Sequence, residues 1–245
     1  MTTVIKFIVG ILTALMLTSC NFDISFGQLR GNGNVIKEDM NISEPFTEVS
    51  AGNGWDVILE KGAANSVIIE ADENLVDAAE VYVQNGKLKI RCEQGISSAS
   101  SKKVFVTYAQ SLEEISASSG ASIFANEVIK GNDMEFNASS GGSIKAEVAA
   151  NDVETDVSSG GVLKISGRTR RLDASGSSGG VSNLRNLKSK IAKADISSGG
   201  VIEINASEAL KAEASSGGVI NYYGNPKNID KPEKNFSGGV IKSGN

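Results

Sequence analysis

The 245-residue chain carries 24 Lys and Arg against 29 Asp and Glu, a formal net charge of −5, with no histidine and only 5% aromatic residues. The missing histidine excludes Ser-His-Asp and Cys-His catalysis and removes the commonest zinc ligand. The mild acidity argues against nucleic acid as a partner and against a basic membrane-binding patch.

Residues 1–20 read MTTVIKFIVGILTALMLTSC. Lys6 is the lone charge, and residues 7–17 form an apolar run of signal-peptide length, too short to span a bilayer. Leu17-Thr18-Ser19-Cys20 resembles a bacterial lipobox, which implies that residues 1–19 are removed and that Cys20 carries acyl groups. An ordinary secretory signal with an incidental cysteine is the competing reading. Several acyl chains on one residue anchor a protein firmly without a transmembrane helix. Cys92 then has no internal disulfide partner and reads as a buried strand residue beside Ile90. Residues 20–34, with little periodicity and several Asn, Gln and Gly, read as a tether. Residues 35–245 read as a single domain.

Residues 48–57 align with residues 114–123 as strand, corner and strand. Between them, residues 60–111 form an excursion. It holds a strand at 66–70, a helical turn at 73–79, a hairpin at 81–90 and a strand at 103–108. Asn85-Gly86 suits the type I′ turn of that hairpin. Exposed solenoid ends offer unpaired strand groups, so the excursion is expected to be an antiparallel side-sheet or cap near the N-terminal end.

From residue 112 to residue 224 the chain repeats. Ser-Ser-Gly begins at Ser118, Ser139, Ser158, Ser177, Ser197 and Ser215, at intervals of 21, 19, 19, 20 and 18 residues, and Ser237-Gly238-Gly239 follows in shortened form. A unit of about 20 residues recurring in phase marks a solenoid in which each unit is one coil. Around each corner the sequence alternates with period two, as a half-buried strand does. Ala117, Ala138, Val157, Gly176, Ile196 and Ala214 point inward before the corner, and Ile123, Ile144, Leu163, Ser182, Ile202, Ile220 and Ile241 after it. Two glycines permit positive φ at a sharp bend, and small serines allow corners to stack, with hydroxyls free to bond along the stack. A flexible linker would not keep phase, and a phosphate-cradling loop would occur once and open a helix. The predicted fold is all-β: a parallel β-helix of about six coils and roughly 30 Å, right-handed by the general rule for parallel crossovers. A solenoid with antiparallel hairpins between its parallel strands is the alternative. Pro226, Pro232 and the charged residues 227–234 are expected to loop over the last coil before a final strand at 239–242, so that 225–245 closes the domain.

Four residues before each corner stand Glu114, Glu135, Glu154 and Asp173, which stacking would bring into one column beside Asp156 and Asp195. Like charges at strand spacing repel. They read as a solvated face, as a weak Ca²⁺ or ligand face, or as acidic groups for glycoside chemistry. Trp55 flanks a corner and reads as packed under the cap or as a binding aromatic. Tyr222 and Tyr223 fall in the last full coil, where one is expected to cover the core. Arg168, Arg170 and Arg171, with Arg185 one coil later, form a basic cluster read as a solvated loop or a contact for an acidic partner.

Phe46-Thr47-Glu48-Val49 followed by Val57, then Asn85 to Ile90 and the Ser-Ser-Gly-Gly corners, resemble the head GIN domain family of bacterial lipoproteins and secreted proteins over roughly residues 30–242. The resemblance implies a right-handed β-helix of the pectin-lyase type and an adhesion role, and it transfers no catalytic or binding residue. The expectation is therefore a non-enzymatic lipoprotein of the bacterial cell envelope, on its surface or periplasmic face. It would need no cofactor and would present a rigid surface to a protein or glycan. A carbohydrate-active enzyme on the same scaffold, and a structural or signalling role in the periplasm, are the alternatives.

Overall fold

The computed structural model describes residues 27–232 and 238–244, so the predicted lipidation residue, Cys20, lies outside the described part. The protein is a β-solenoid of about 6 turns, 63% strand and 2% helix. Each lap runs through a strand leading into the serine corner and a strand following it. The leading strands form one sheet: Glu48–Ala51, Glu114–Ala117, Asp133–Ala138, Asp152–Val157, Arg171–Gly176, the second half of Leu187–Ile196 and the second half of Val201–Ala214 pair in parallel, in that order. The following strands form the other: Asp56–Lys61, Ser122–Lys130, Ser143–Ala149, Val162–Arg168, Val181–Asn183, the first half of Val201–Ala214, Val219–Tyr223 and Val240–Ser243.

Register keeps the apolar columns in phase from lap to lap. Ile115 pairs with Val49 and Phe136, and Ile123 pairs with Val57 and Ile144. The period-two alternation predicts this, because a slip of one residue would turn every inward side chain to solvent. The core between the sheets contains Val49, Ile115, Phe136 and Leu163, all buried. It also holds Thr155 and Ser182, whose buried hydroxyls have no hydrogen-bond partner among the described residues.

The corners are tight turns of the mirror-image type, closed by a hydrogen bond from the fourth residue to the first: Gly142 N–H donates to Ser139 O at 2.8 Å and Gly161 N–H to Ser158 O at 2.8 Å. The residues with positive φ are the second serine and the first glycine, as at Ser159 (φ 49) and Gly160 (φ 71), so the pair of glycines does not carry the bend as expected. The second glycine is needed for space. A Cβ on Gly161 would stand 2.2 Å from the carbonyl oxygen of Ala138 in the preceding lap. Stacking is by backbone rather than by serine hydroxyls: Ser158 N–H donates to Ala138 O at 3.0 Å and Gly160 N–H to Ser178 O at 3.2 Å.

At the N-terminal end, spatial order departs from chain order. Lys87–Cys92 pairs in parallel with Glu48–Ala51, and Lys102–Tyr108 with Asp56–Lys61. Residues 87–108 are thus a full lap lying beneath the lap that precedes it in sequence, with a long corner at 91–102. Antiparallel strands border this lap as predicted. Ala79–Gln84 closes the leading sheet through a turn with Asn85 at φ 53 and Gly86 at φ 77. Ser66–Asp72 and then Val35–Asp39 close the following sheet. The helical turn is Glu73–Asp77, which buries Leu75 and Val76.

The tether reading extends too far. Gln28–Arg30 pairs with Gly95–Ser98 of the long corner, and Asn32 N–H donates to Asn74 Oδ1 at 2.9 Å, so residues 28–34 belong to the folded body. Trp55 occupies the corner position that is Ala121 in the next lap and glycine in the laps after it, above the long corner rather than a tight one, and is 0% exposed. It is therefore a packing residue and not a surface aromatic for a ligand. Cys92 is buried in its strand, as expected, and its thiol donates to Gln94 O at 2.7 Å. Burial pushes that thiol pKa up, opposed in part by the neighbouring Trp55 indole. At the far end Asn228–Asp230 and Val240–Ser243 add the last pairings, and Tyr222 packs against the core.

Candidate functional site

The leading sheet carries a column of charged residues on its outer face. Its register places Glu48, Glu114, Glu135, Glu154 and Asp173 in one unbroken column. Lys87 lies below Glu48, and Lys193 lies above Asp173. Sheet spacing is about 4.8 Å, at which like charges in water repel by about 1 kcal/mol per pair. Both ends of the column are neutralised. Lys87 Nζ lies 2.8 Å from Glu48 and 2.7 Å from Glu114, and Lys193 Nζ lies 2.7 Å from Asp195 and 3.7 Å from Asp173. In the middle, Glu135 accepts from Asn137 Nδ2 at 2.7 Å, and Glu154 has no ion-pair partner among the described residues.

Glu48 and Glu114 are the partly buried members, Glu114 the more so. Burial alone would raise the Glu114 pKa, but hydrogen bonds from Lys87 and from the Ser116 hydroxyl hold it below the usual carboxylate range. Burial likewise works against the Lys87 ammonium, and Glu114 and Glu48 together hold its pKa above the usual lysine value. A general acid at neutral pH needs the opposite displacement of its carboxyl. Asp156 and Asp195 fall in the adjacent column as predicted, separated by Ser175, whose hydroxyl donates to Asp156 Oδ2 at 2.5 Å.

A groove of about 820 Å³ runs over the middle of the column, lined by Glu135, Glu154, Asp173, Arg171, Ile191 and Lys193 among others. Arg171 is tied across it to Asp152 through two hydrogen bonds. Among the described residues no group of three or more acidic or cysteine side chains could hold a metal ion. The column is an extended charged face rather than a chelating cage. Two members escaped the sequence reading. Glu48 stands at the same offset before its corner as Glu114 and was legible from that alignment. Lys87 enters the column only because residues 87–108 fold beneath the first lap. Of the four arginines of the predicted basic cluster, Arg168, Arg170 and Arg185 lie along one edge, while Arg171 faces the groove.

No helix among the described residues is long and apolar enough to cross a membrane. Solved structures share the fold at low identity. A "putative adhesin" from Bacteroides fragilis has a TM-score of 0.80 at 18% identity, over 88% of this chain and 99% of that one. A "putative lipid binding protein" from Parabacteroides distasonis has a TM-score of 0.67 at 21% identity, over 89% and 100%. A "putative adhesin" from Parabacteroides merdae has a TM-score of 0.64 at 20% identity, over 89% and 100%. No curated protein matches the chain. Residues 45–226 match the model of one family, and the chain accordingly belongs to the family described as "putative auto-transporter adhesin, head GIN domain".

Proposed function

We propose that the protein is a non-enzymatic, lipid-anchored component of a bacterial cell envelope that holds a partner against its leading sheet. The observation that carries this reading is the unbroken carboxylate column, from Glu48 to Asp173, fixed by backbone register on a rigid sheet. Side chains anchored this way present charge at a constant spacing along an open face, which suits recognition of an extended surface. The partner class that complements it is a protein face bearing lysines or arginines. Cys20 supplies the anchor, and membership of an adhesin family supports an exposed location.

The test is a pull-down from the envelope of the source cells, with the full chain as bait and the triple variant Glu135→Gln, Glu154→Gln, Asp173→Asn beside it. Capture of a protein by the native chain and its loss with the variant supports the reading, whereas equal capture by both refutes it. Replacing Cys20 by Ser is expected to move the protein from the membrane to the soluble fraction, and membrane retention of that variant would refute lipidation.

A further inference from the structure

The edge where each following strand passes into the next leading strand has the opposite electrostatic character. Register stacks Lys130, Ala149, Arg168 and Lys188 in one column on successive laps. Arg170 and Lys190 stand beside that column, and Lys190 N–H donates to Arg170 O at 3.2 Å. A cleft of about 520 Å³ opens here, lined by Lys130, Arg168, Arg170 and Lys190 and by no carboxylate. A second, of about 600 Å³, follows on the next laps, lined by Arg185, Asn186, Lys188, Asn205 and Tyr223, again without a carboxylate. Lys188 joins the two, since its carbonyl accepts from Thr169 N–H of the first cleft at 2.9 Å.

Part of this charge is compensated. Arg170 lies 3.7 Å from Asp152 and Lys190 lies 3.5 Å from Glu208. Lys130, Arg168 and Lys188 have no ion pair among the described residues. A chain with net charge −5 thus gathers unpaired cations on one edge, where they repel one another and add nothing to stability. At one end of the strip the Arg185 guanidinium lies over the Tyr223 ring, 4.3 Å from its centre, Asn186 lines the same cleft, and the Tyr223 hydroxyl donates to Glu203 Oε1 at 3.4 Å.

We propose that this edge is a binding site for an anionic polysaccharide, with the cations pairing to its carboxylate or sulfate groups and the Tyr223–Arg185 platform stacking on a sugar ring. Charge complementarity selects a polyanion. The groove form of the strip, two clefts in line along the solenoid axis, suits a single linear chain better than a planar lipid surface. The single ring favours a sugar over a nucleic-acid strand, which needs a platform for each of several bases. The site is independent of the carboxylate column.

The experiment measures binding of the full-length protein in detergent to polygalacturonate, with neutral dextran, polyphosphate, single-stranded DNA and anionic phospholipid vesicles as comparison probes. Saturable binding of polygalacturonate, tighter than any comparison probe and weakened by salt, is expected. The exposed double variant Arg168→Glu, Lys188→Glu is expected to lose about ten-fold or more in affinity while melting at the native temperature. Lys145→Glu, Lys164→Glu, the same charge change on the following sheet, is expected to bind as the native chain does. Arg185→Lys, which keeps the charge and loses the planar group, is expected to weaken polygalacturonate and leave polyphosphate unchanged. The proposal is overturned by absence of polygalacturonate binding, by equal or tighter binding of any comparison probe, or by equal losses in the two charge-reversal variants.

Discussion

At the scale of single residues, the corner shows how two neighbouring glycines are retained for different reasons. Gly160 sits at φ 71, whereas Gly161 lies where a Cβ would meet the previous lap's carbonyl at 2.2 Å. Gly161→Ala forces the stacked backbones apart and is expected to cost about 1–3 kcal/mol, read from chemical denaturation. Ser159 is an L-residue held at φ 49, a conformation that asparagine tolerates better. The first lap already places Asn53 there at φ 57. Ser159→Asn is therefore expected to leave stability unchanged or raise it, and a clear loss in melting temperature would contradict the turn assignment. Thr155 makes the complementary case inside the core. Its hydroxyl is fully buried and unpartnered, so Thr155→Val is expected to stabilise by about 1 kcal/mol. A destabilised Thr155→Val protein would show that the hydroxyl has a partner, such as a buried water.

At the scale of elements, the leading sheet combines an inner face that stabilises with an outer face whose charges oppose one another. Glu114 has its pKa lowered by Lys87 and Ser116, so its contribution to stability is present above the unfolded carboxylate range and is lost as pH falls through its folded value. The Lys87 contribution has the opposite sense: it is complete below the lysine range and lost as pH rises through a value above 10.5. Thermal unfolding of Glu114→Gln is expected to show a shallower acid-side loss of melting temperature than the native chain, and parallel acid limbs would contradict the ion pair. The carboxylate column was legible in the sequence for Glu114, Glu135, Glu154 and Asp173, because an equal offset from an in-phase corner becomes lateral pairing in a parallel sheet. Lys87 was not legible. The alternation around Lys87-Leu88-Lys89-Ile90 reports a half-buried strand but not its neighbours, and its antiparallel partner at 79–84 is the one the Asn-Gly turn announces. For Trp55 the sequence left packing and binding both open, for a related reason. Its environment depends on a corner about forty residues later being long rather than tight.

For the whole molecule, the two charged regions give a net-acidic protein a polar cross-section, with carboxylates on one sheet and cations along one edge. A solenoid spreads such features over many laps, so a composition that excludes histidine chemistry left the partner unnamed. Its ends are a general liability, since open strand edges template aggregation. Residues 60–111 answer that at the N-terminal end with antiparallel strands and an additional lap. Their removal is expected to yield insoluble protein, and a soluble deletion that unfolds cooperatively would contradict this capping role. The edges of the regular laps were readable from the sequence, whereas the closing arrangement depends on pairings between distant segments that spacing alone does not reveal.

The interleaving of chain order and stacking order has a bearing on how the protein assembles when it is synthesised or exported from its N-terminus. The strand at 48–51 cannot acquire its lower neighbour until residue 92 has emerged, so the earliest segment waits for a later one to slide in beneath it. Once that foundation is complete, every subsequent strand finds its template already in place and can be added one turn at a time. The slow, long-range closure is confined to the beginning of the process, and growth beyond it resembles the extension of a filament from a seed that the chain makes for itself.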